Sequence, residues 1–105
     1  MEKTAIAREI ASFIDADGRL TSLPAKKKKR ILALVWLADQ LPADRDYSEK
    51  EFNDVLRTLH TFGDPATLRR ELFDFYQINR TPNGRHYCVN PDRPDAEELI
   101  AKHCG

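Results

Sequence analysis

The sequence contains little cysteine and little glycine, and it has no long apolar run. Of its 105 residues only Cys88 and Cys104 are cysteines, whereas small secreted domains usually carry four or more in a disulfide framework. We therefore expect a cytoplasmic protein, with a bridge between these two cysteines as the less favoured alternative. Four glycines are too few for a glycine-rich phosphate loop. No window reaches the roughly 18 apolar residues of a membrane span, and the amino terminus lacks the apolar core of a signal peptide, so we expect no membrane partner.

The chain also lacks net charge, because 17 basic residues balance 17 acidic ones. This balance does not favour a polyanionic partner, but the charges are segregated along the sequence. Residues 19–30 contain six cations and no acid, whereas residues 31–64 contain seven acids and three cations. The charge that a partner meets therefore depends on which face of the molecule it approaches.

Three local signals predict the elements of the fold between residues 47 and 89. Ser48 and Glu51 have the spacing of a capping box, and Tyr47 and Phe52 that of a hydrophobic staple, so a helix begins here. Asp64 followed by proline predicts a second helix start. The dipeptide 83–84, Asn-Gly, is a strong hairpin signal that joins a strand over residues 78–80 to one over residues 86–89.

The spacing of apolar residues predicts helices over residues 2–15, 25–41, 48–60, 64–76 and 95–103. In the fourth helix the predicted buried residues are Leu68, Leu72, Phe75 and Tyr76, and the predicted outward residues are Ala66, Thr67 and Arg70. The fold class is thus mainly α with a small β-hairpin. We interpret it as one domain over residues 1–105, with a winged helix-turn-helix core at about residues 25–89 and extra helices at both ends.

A run of cations opens the predicted second helix and forms the first candidate site: Lys26, Lys27, Lys28, Lys29 and Arg30. Cations in a first helical turn are each unfavourable by roughly 0.3–1 kcal/mol, because they face the positive end of the helix dipole. Local stability therefore does not explain the run. Two interpretations are open: a patch that contacts phosphates, or a solvated face that maintains solubility.

The second candidate site lies on the predicted recognition helix and on the hairpin. Thr67, Arg69 and Arg70 would face the major groove of DNA, where arginine can bind guanine, and Arg80 and Arg85 would contact phosphates. The alternative is that these arginines are structural. Arg70 could pair with Asp74, and Arg69 with Glu51 or another acid of the preceding helix. Acids at residues 71 and 74 also disfavour a polyanion.

No motif indicates catalysis, a cofactor or a metal. No serine or cysteine has a base at motif spacing, so we expect a protein that is not an enzyme. The side chains able to bind a transition metal are His60, His86, Cys88, His103 and Cys104. They lack the spacing of a zinc motif and come from distant segments, so we expect no metal site.

Several segments together resemble a bacterial domain of unknown function. They are Phe13-Ile14-Asp15-Ala16-Asp17-Gly18-Arg19-Leu20, the LPAKxKxR pattern at 23–30, Tyr47-Ser48-Glu49-Lys50-Glu51-Phe52-Asn53, the TLRREL pattern at 67–72, and residues 84–87. The resemblance spans roughly residues 12–89. That family occurs alone or after an ArsR-type helix-turn-helix domain, which implies a winged-helix-like fold and an association with transcriptional regulation. It implies no established chemistry.

The chain departs from that family in two respects. The sequence shows no upstream ArsR-type domain, so we expect that any DNA binding comes from this module or from a partner. The family favours Tyr-Trp-Arg at the end of the hairpin, where this chain has Tyr87-Cys88-Val89. Two hypotheses follow. The first is a nucleic-acid-binding or transcription-associated module of unknown specificity, with double-stranded DNA as its expected partner. The second is a protein-interaction module that dimerises or docks through its amino-terminal helix and the tail at Leu99-Ile100.

Overall fold

The computed structural model describes residues 2–104. Within this range the chain forms five α-helices and three short β-strands: α1 (Lys3–Glu9), α2 (Lys27–Gln40), β1 (Tyr47–Ser48), α3 (Glu49–Arg57), α4 (Pro65–Asp74), β2 (Ile78–Arg80), β3 (His86–Val89) and α5 (Ala96–His103). The mainly helical class and the predicted hairpin are therefore confirmed. No helix among these residues combines the length and the apolar character that a membrane span requires.

The three strands form one antiparallel sheet in the order β1-β3-β2. Ile78 is opposite Val89 in the predicted hairpin, and Gly84 provides the positive φ of +70° that the turn needs. The sequence did not predict β1. Its residue Tyr47 is opposite Tyr87 on β3, so the segment before α3 closes the far edge of the sheet.

The predicted start of α3 is confirmed in detail. The Ser48 hydroxyl accepts a hydrogen bond from the Glu51 amide at 3.1 Å, and the Glu51 carboxylate accepts one from the Ser48 amide at 2.9 Å. The Tyr47 and Phe52 rings are 5.4 Å apart, as expected for a hydrophobic staple. Because β1 runs into this capping box without a linker, the sheet and α3 are joined directly.

The core is built around α2, whose residues from 31 to 35, together with Leu37 and Ala38, are buried. Helices α1, α4 and α5 all pack against α2. On the side of the sheet, the buried Phe52 ring lies between two tyrosine rings, with centroids 5.4 Å from Tyr47 and 5.4 Å from Tyr87. Helix α2 is thus the centre of the helical part of the core, and Phe52 of α3 joins this part to the sheet.

The first helix is shorter than predicted. Instead of continuing to residue 15, α1 ends at Glu9 and is followed by a single 3-10 turn over Ala11–Phe13. The reason is a long-range pairing: Leu20 bridges Ile14 on one side and His60 on the other. The extended backbone that these bridges require ends the helix, and it attaches residues 14–20 to the loop between α3 and α4.

The predicted burial of Tyr76 is wrong. Helix α4 ends at Asp74, and Tyr76 adopts a φ of +60° with 49% of its surface exposed. The Gln77 amide donates to the Leu72 carbonyl at 2.9 Å, which reverses the chain after the helix. The buried Gln77 side chain also donates to Pro94 O at 3.1 Å and accepts from Arg93 at 2.9 Å. Helix α4 therefore ends two residues earlier than the helical pattern suggested, whereas β2 covers residues 78–80 as predicted.

Candidate functional site

The first turn of α4 is held in place by the loop before it. Asp64 is the N-cap, and its carboxylate accepts the Thr67 amide at 3.1 Å. His60 Nε2 accepts the Asp64 amide at 3.0 Å, while His60 Nδ1 donates to the Leu56 carbonyl at 2.6 Å. The Thr67 side chain and amide, as hydrogen-bond donors, hold the pKa of Asp64 below its ordinary value. The loop thus fixes the direction in which α4 leaves α3.

Three residues of α4 are exposed, and they form a single row: Ala66, Arg70 and Asp74. They follow each other at intervals of four residues, so they lie on one face of the helix. Thr67, which we predicted to face outward, is half-buried beside the cap. The outward surface of the helix is therefore narrower than the sequence suggested, and it includes an acid.

Arg69 is directed into the molecule rather than outward. Its guanidinium is 3.0 Å from the Glu49 carboxylate, donates to the Asn53 side chain, and lies 5.6 Å from the centre of the Tyr87 ring. Only 19% of the side chain is exposed. The acid of the preceding helix that pairs with Arg69 is thus Glu49. Through these contacts Arg69 ties α3, α4 and β3 together.

The lysine run lies beside α4. Arg30, in the first turn of α2, is ion-paired with Glu71 in the middle of α4 and donates to the Pro24 carbonyl at 3.0 Å. Lys26, Lys27 and Lys28 are exposed and Lys29 is half-buried. Helix α2 has no side-chain cap. Of the five cations predicted as a patch, Arg30 is therefore a structural bridge, whereas at least three lysines are directed to solvent.

The hairpin presents its arginines from an ordered turn. The Asn83 side-chain oxygen accepts the Arg85 amide at 3.0 Å and the Thr81 hydroxyl at 2.6 Å, and the same hydroxyl accepts the His86 amide at 3.2 Å. Arg85 is exposed at this tip. The Arg80 guanidinium lies 4.3 Å from the centre of the Phe73 ring on α4, so a cation–π contact holds it over the helix.

A groove of about 580 Å³ separates α4 from the hairpin. Its walls include Arg69, Arg70 and Phe73 from the helix, Arg80 from β2, and Tyr87 from β3. Glu49, Asp74 and Asn83 also line it. The structure therefore brings four of the predicted site residues, Arg69, Arg70, Arg80 and, at the adjoining tip, Arg85, to one side of the molecule.

The comparison with known proteins identifies a family and nothing more specific. A family model described as an uncharacterized protein conserved in bacteria, DUF2087, matches residues 19–89. The chain belongs to this family. No curated protein and no solved structure matches it. The DUF2087 match extends from the segment that pairs with Ile14 to the end of β3, so it includes both α4 and the hairpin.

Within this DUF2087 chain, most arginines are engaged by acids. The sequence has ten arginines, and six of them form ion pairs: Arg19, Arg30, Arg45, Arg57, Arg69 and Arg93. Among residues 2–104 the other four, Arg8, Arg70, Arg80 and Arg85, form none. Three of these four lie on α4 and the hairpin. This concentration of unpaired charge distinguishes the surface formed by α4 and the hairpin, which we call the α4–hairpin face.

The metal-binding side chains of the DUF2087 chain are dispersed. Both cysteines are free thiols. In the part of the chain that the structure describes, no three His, Cys, Asp or Glu side chains are grouped as metal ligands. His60 has both ring nitrogens in hydrogen bonds to the backbone, where it serves the end of α3 and the start of α4. The side chains that this arrangement leaves available for a ligand are therefore guanidinium and ammonium groups, which can bind anions.

Proposed function

We propose that this protein is a winged-helix module that binds double-stranded DNA through the α4–hairpin face. Support comes first from the order of elements. From α2 onward the chain runs helix, strand, helix, helix, strand, strand, and β3 lies in the middle of the sheet. That order suits a helix-turn-helix in which α3 and α4 are the paired helices and the hairpin is the wing. In this assignment α4 is the recognition helix.

The observation that carries the proposal is the set of unpaired arginines. Arg70, Arg80 and Arg85 form no ion pair among residues 2–104, although six other arginines do; the charge of Arg70 acts on Asp64 only as a minor cause of its lowered pKa. Phosphate groups would supply the missing partners and release condensed counterions from the DNA. Two of the acids on this side of the molecule are already neutralised, since Glu49 is paired with Arg69 and Glu71 with Arg30. Glu71 therefore disfavours DNA less than the sequence suggested, whereas Asp74 is an acid of the same groove without an ion pair among residues 2–104.

The lysine run can extend the same surface. The ion pair between Arg30 and Glu71 places the first turn of α2 next to the middle of α4. Three exposed lysines precede Arg30 there. With the three unpaired arginines they make six exposed cations, which sets an upper limit of about −5 for the slope of log K against log salt, at roughly 0.9 per phosphate.

The competing hypothesis, docking through the terminal helices, has less support from the contacts. Leu99, one of the two anchors expected in the tail, is 2% exposed, and α5 packs against α2 of its own chain. Ile100 is half-buried. The tail residues that a partner would need are thus largely used within the molecule.

The test is binding to a labelled random-sequence duplex of about 20 base pairs, followed by fluorescence anisotropy across a salt titration. We expect micromolar or tighter binding at low salt, with a slope between about −3 and −5. Arg85→Gln should reduce the slope by about 1. The matched control is Arg8→Gln, which removes an exposed arginine without an ion pair among residues 2–104 from α1 and should leave the slope unchanged. No binding at low salt, or equal effects of the two variants, would contradict the proposal.

A further inference from the structure

The exposed row of α4 contains a residue that a simple phosphate-binding surface does not explain. Asp74 is exposed at the last position of the helix, where the dipole is unfavourable for an acid. It forms no ion pair among residues 2–104, neither with Arg70 one turn earlier nor with Arg80, which lines the same groove. Neither stability nor neutralisation of a neighbour therefore accounts for this carboxylate.

The bonding capacity of the row suits the edges of base pairs. An arginine side chain can donate two hydrogen bonds to O6 and N7 of guanine, and a carboxylate can accept one from N4 of cytosine. An alanine side chain can contact the methyl group of thymine. The other polar side chains of α4 that could compete are engaged within the protein: Arg69 with Glu49, Glu71 with Arg30, and Thr67 with the N-cap.

We infer that the row reads a G·C-containing sequence, with Arg70 on guanine and Asp74 on cytosine, while Ala66 provides an apolar contact. This inference rests on the proposed function, since it assumes that α4 enters the major groove. Residues four apart on a helix are about 6 Å apart along its axis, at 1.5 Å per residue. With a spacing of roughly 3.4 Å per base pair, Arg70 and Asp74 reach bases about two pairs apart.

The test compares base preferences of the protein and of two variants with the same change of charge. Each protein is incubated with a random 20-base-pair pool, and the bound fraction is recovered and sequenced after one round. Asp74→Asn replaces the carboxylate by an amide, which bonds N6 and N7 of adenine. Asp92→Asn is the matched control, because Asp92 is an exposed acid in the turn after β3 with no ion pair among the described residues.

For the unchanged protein we expect enrichment of guanine and cytosine at positions about two base pairs apart. In Asp74→Asn, adenine should be enriched about five-fold over cytosine at the position where the unchanged protein prefers cytosine, which corresponds to a contact of roughly 1 kcal/mol. The preference for guanine at the other position should stay the same. Asp92→Asn should keep the original preference. Circular dichroism melting curves confirm that both variants are folded.

Two results would overturn the inference while leaving DNA binding intact. One is a bound fraction of the unchanged protein that shows no preferred base at any position. The other is an Asp74→Asn protein that binds every sequence more tightly by the same factor, because Asp74 would then only repel phosphates. If the unchanged protein recovers no duplex from the pool, the proposed function itself fails, and this is known before any preference is compared.

Discussion

The same substitution at the adjacent residues Arg69 and Arg70 should affect two different properties, stability and affinity for DNA. Arg69→Met keeps an unbranched side chain but removes the guanidinium that contacts Glu49, Asn53 and the Tyr87 ring. Arg70→Met removes a guanidinium that forms no ion pair among residues 2–104 and has only a minor effect on the Asp64 carboxylate. The first change should therefore lower the free energy of unfolding, and the second should lower affinity for a duplex.

The magnitude for Arg69 can be worked from its contacts. A hydrogen bond from a charged donor such as that to Asn53 contributes about 1.5–3 kcal/mol. The pair with the half-exposed Glu49 adds at most about 1 kcal/mol, and the contact with the Tyr87 ring roughly 0.5–1 kcal/mol. Because the three contacts share one group, they are not additive, and we expect a total loss of about 2–3 kcal/mol. For Arg70→Met the change should stay within about 0.5 kcal/mol.

The assay is urea unfolding followed by circular dichroism at 222 nm. With an m value of about 1–3 kcal/mol per M for a small protein, Arg69→Met should lower the urea midpoint by roughly 0.7–3 M, and Arg70→Met should change it by less than about 0.5 M. Duplex anisotropy on the same samples should show weaker binding for Arg70→Met. Equal midpoints for both variants would refute the assignment of Arg69 as a structural bridge. An unchanged midpoint with lost affinity in Arg69→Met would instead place Arg69 on the DNA.

Two further predictions concern the dependence of stability on pH. Burial raises the pKa of Tyr47 above its ordinary 10.0, so the folded state holds this proton more tightly than the unfolded state, and stability falls as pH rises past 10.0. Tyr47→Phe loses a 3.1 Å hydrogen bond to Pro42 O, so it should lower the free energy of unfolding by roughly 1 kcal/mol at neutral pH. It should also make the decline of the urea midpoint at alkaline pH less steep. An equally steep decline would exclude Tyr47 as its origin. Hydrogen bonds from Thr67 lower the pKa of Asp64, so its contribution is present above the unfolded value, near 3.8, and is lost as pH falls through the lower folded value. Asp64→Asn keeps a capping side chain that does not titrate. Urea midpoints measured from neutral pH to below about pH 4 should therefore fall less steeply than in the unchanged protein. Parallel curves for the two proteins would show that Asp64 does not cause the loss of stability in acid.

Local signals predicted the elements whose causes are local. The capping box at Ser48 and Glu51, the N-cap at Asp64 and the hairpin at 83–84 each depend on residues within a few positions, and each is confirmed. Strand β1 could not be predicted in this way. Its two residues lie directly before a helix start, and only their pairing with Tyr87 and His86, about 40 positions later, makes them a strand.

The same distinction separates the predicted site residues. Arg69 and Arg70 are adjacent and chemically identical, and the recognition-helix hypothesis presented both to DNA, although periodicity placed only Arg70 on the outward side. What distinguishes them is Glu49 and Asn53 on another helix, which no spacing within α4 reveals. Asp74 shows the opposite case, since its four-residue spacing from Arg70 suggested an ion pair that the described residues do not form. The sequence shows which residues are charged, but whether a charged side chain forms an ion pair depends on how the helices and strands pack.

The direct junction between β1 and α3 has a consequence for how the protein would meet a long ligand. With no linker between Tyr47 and the cap at Ser48, the sheet cannot rotate independently of α3, and Arg69 joins both to α4. We therefore expect α4 and the hairpin to keep a fixed distance from each other. Under the proposed function, a duplex with an extra base pair between the regions that helix and hairpin contact would therefore engage one of them but not both.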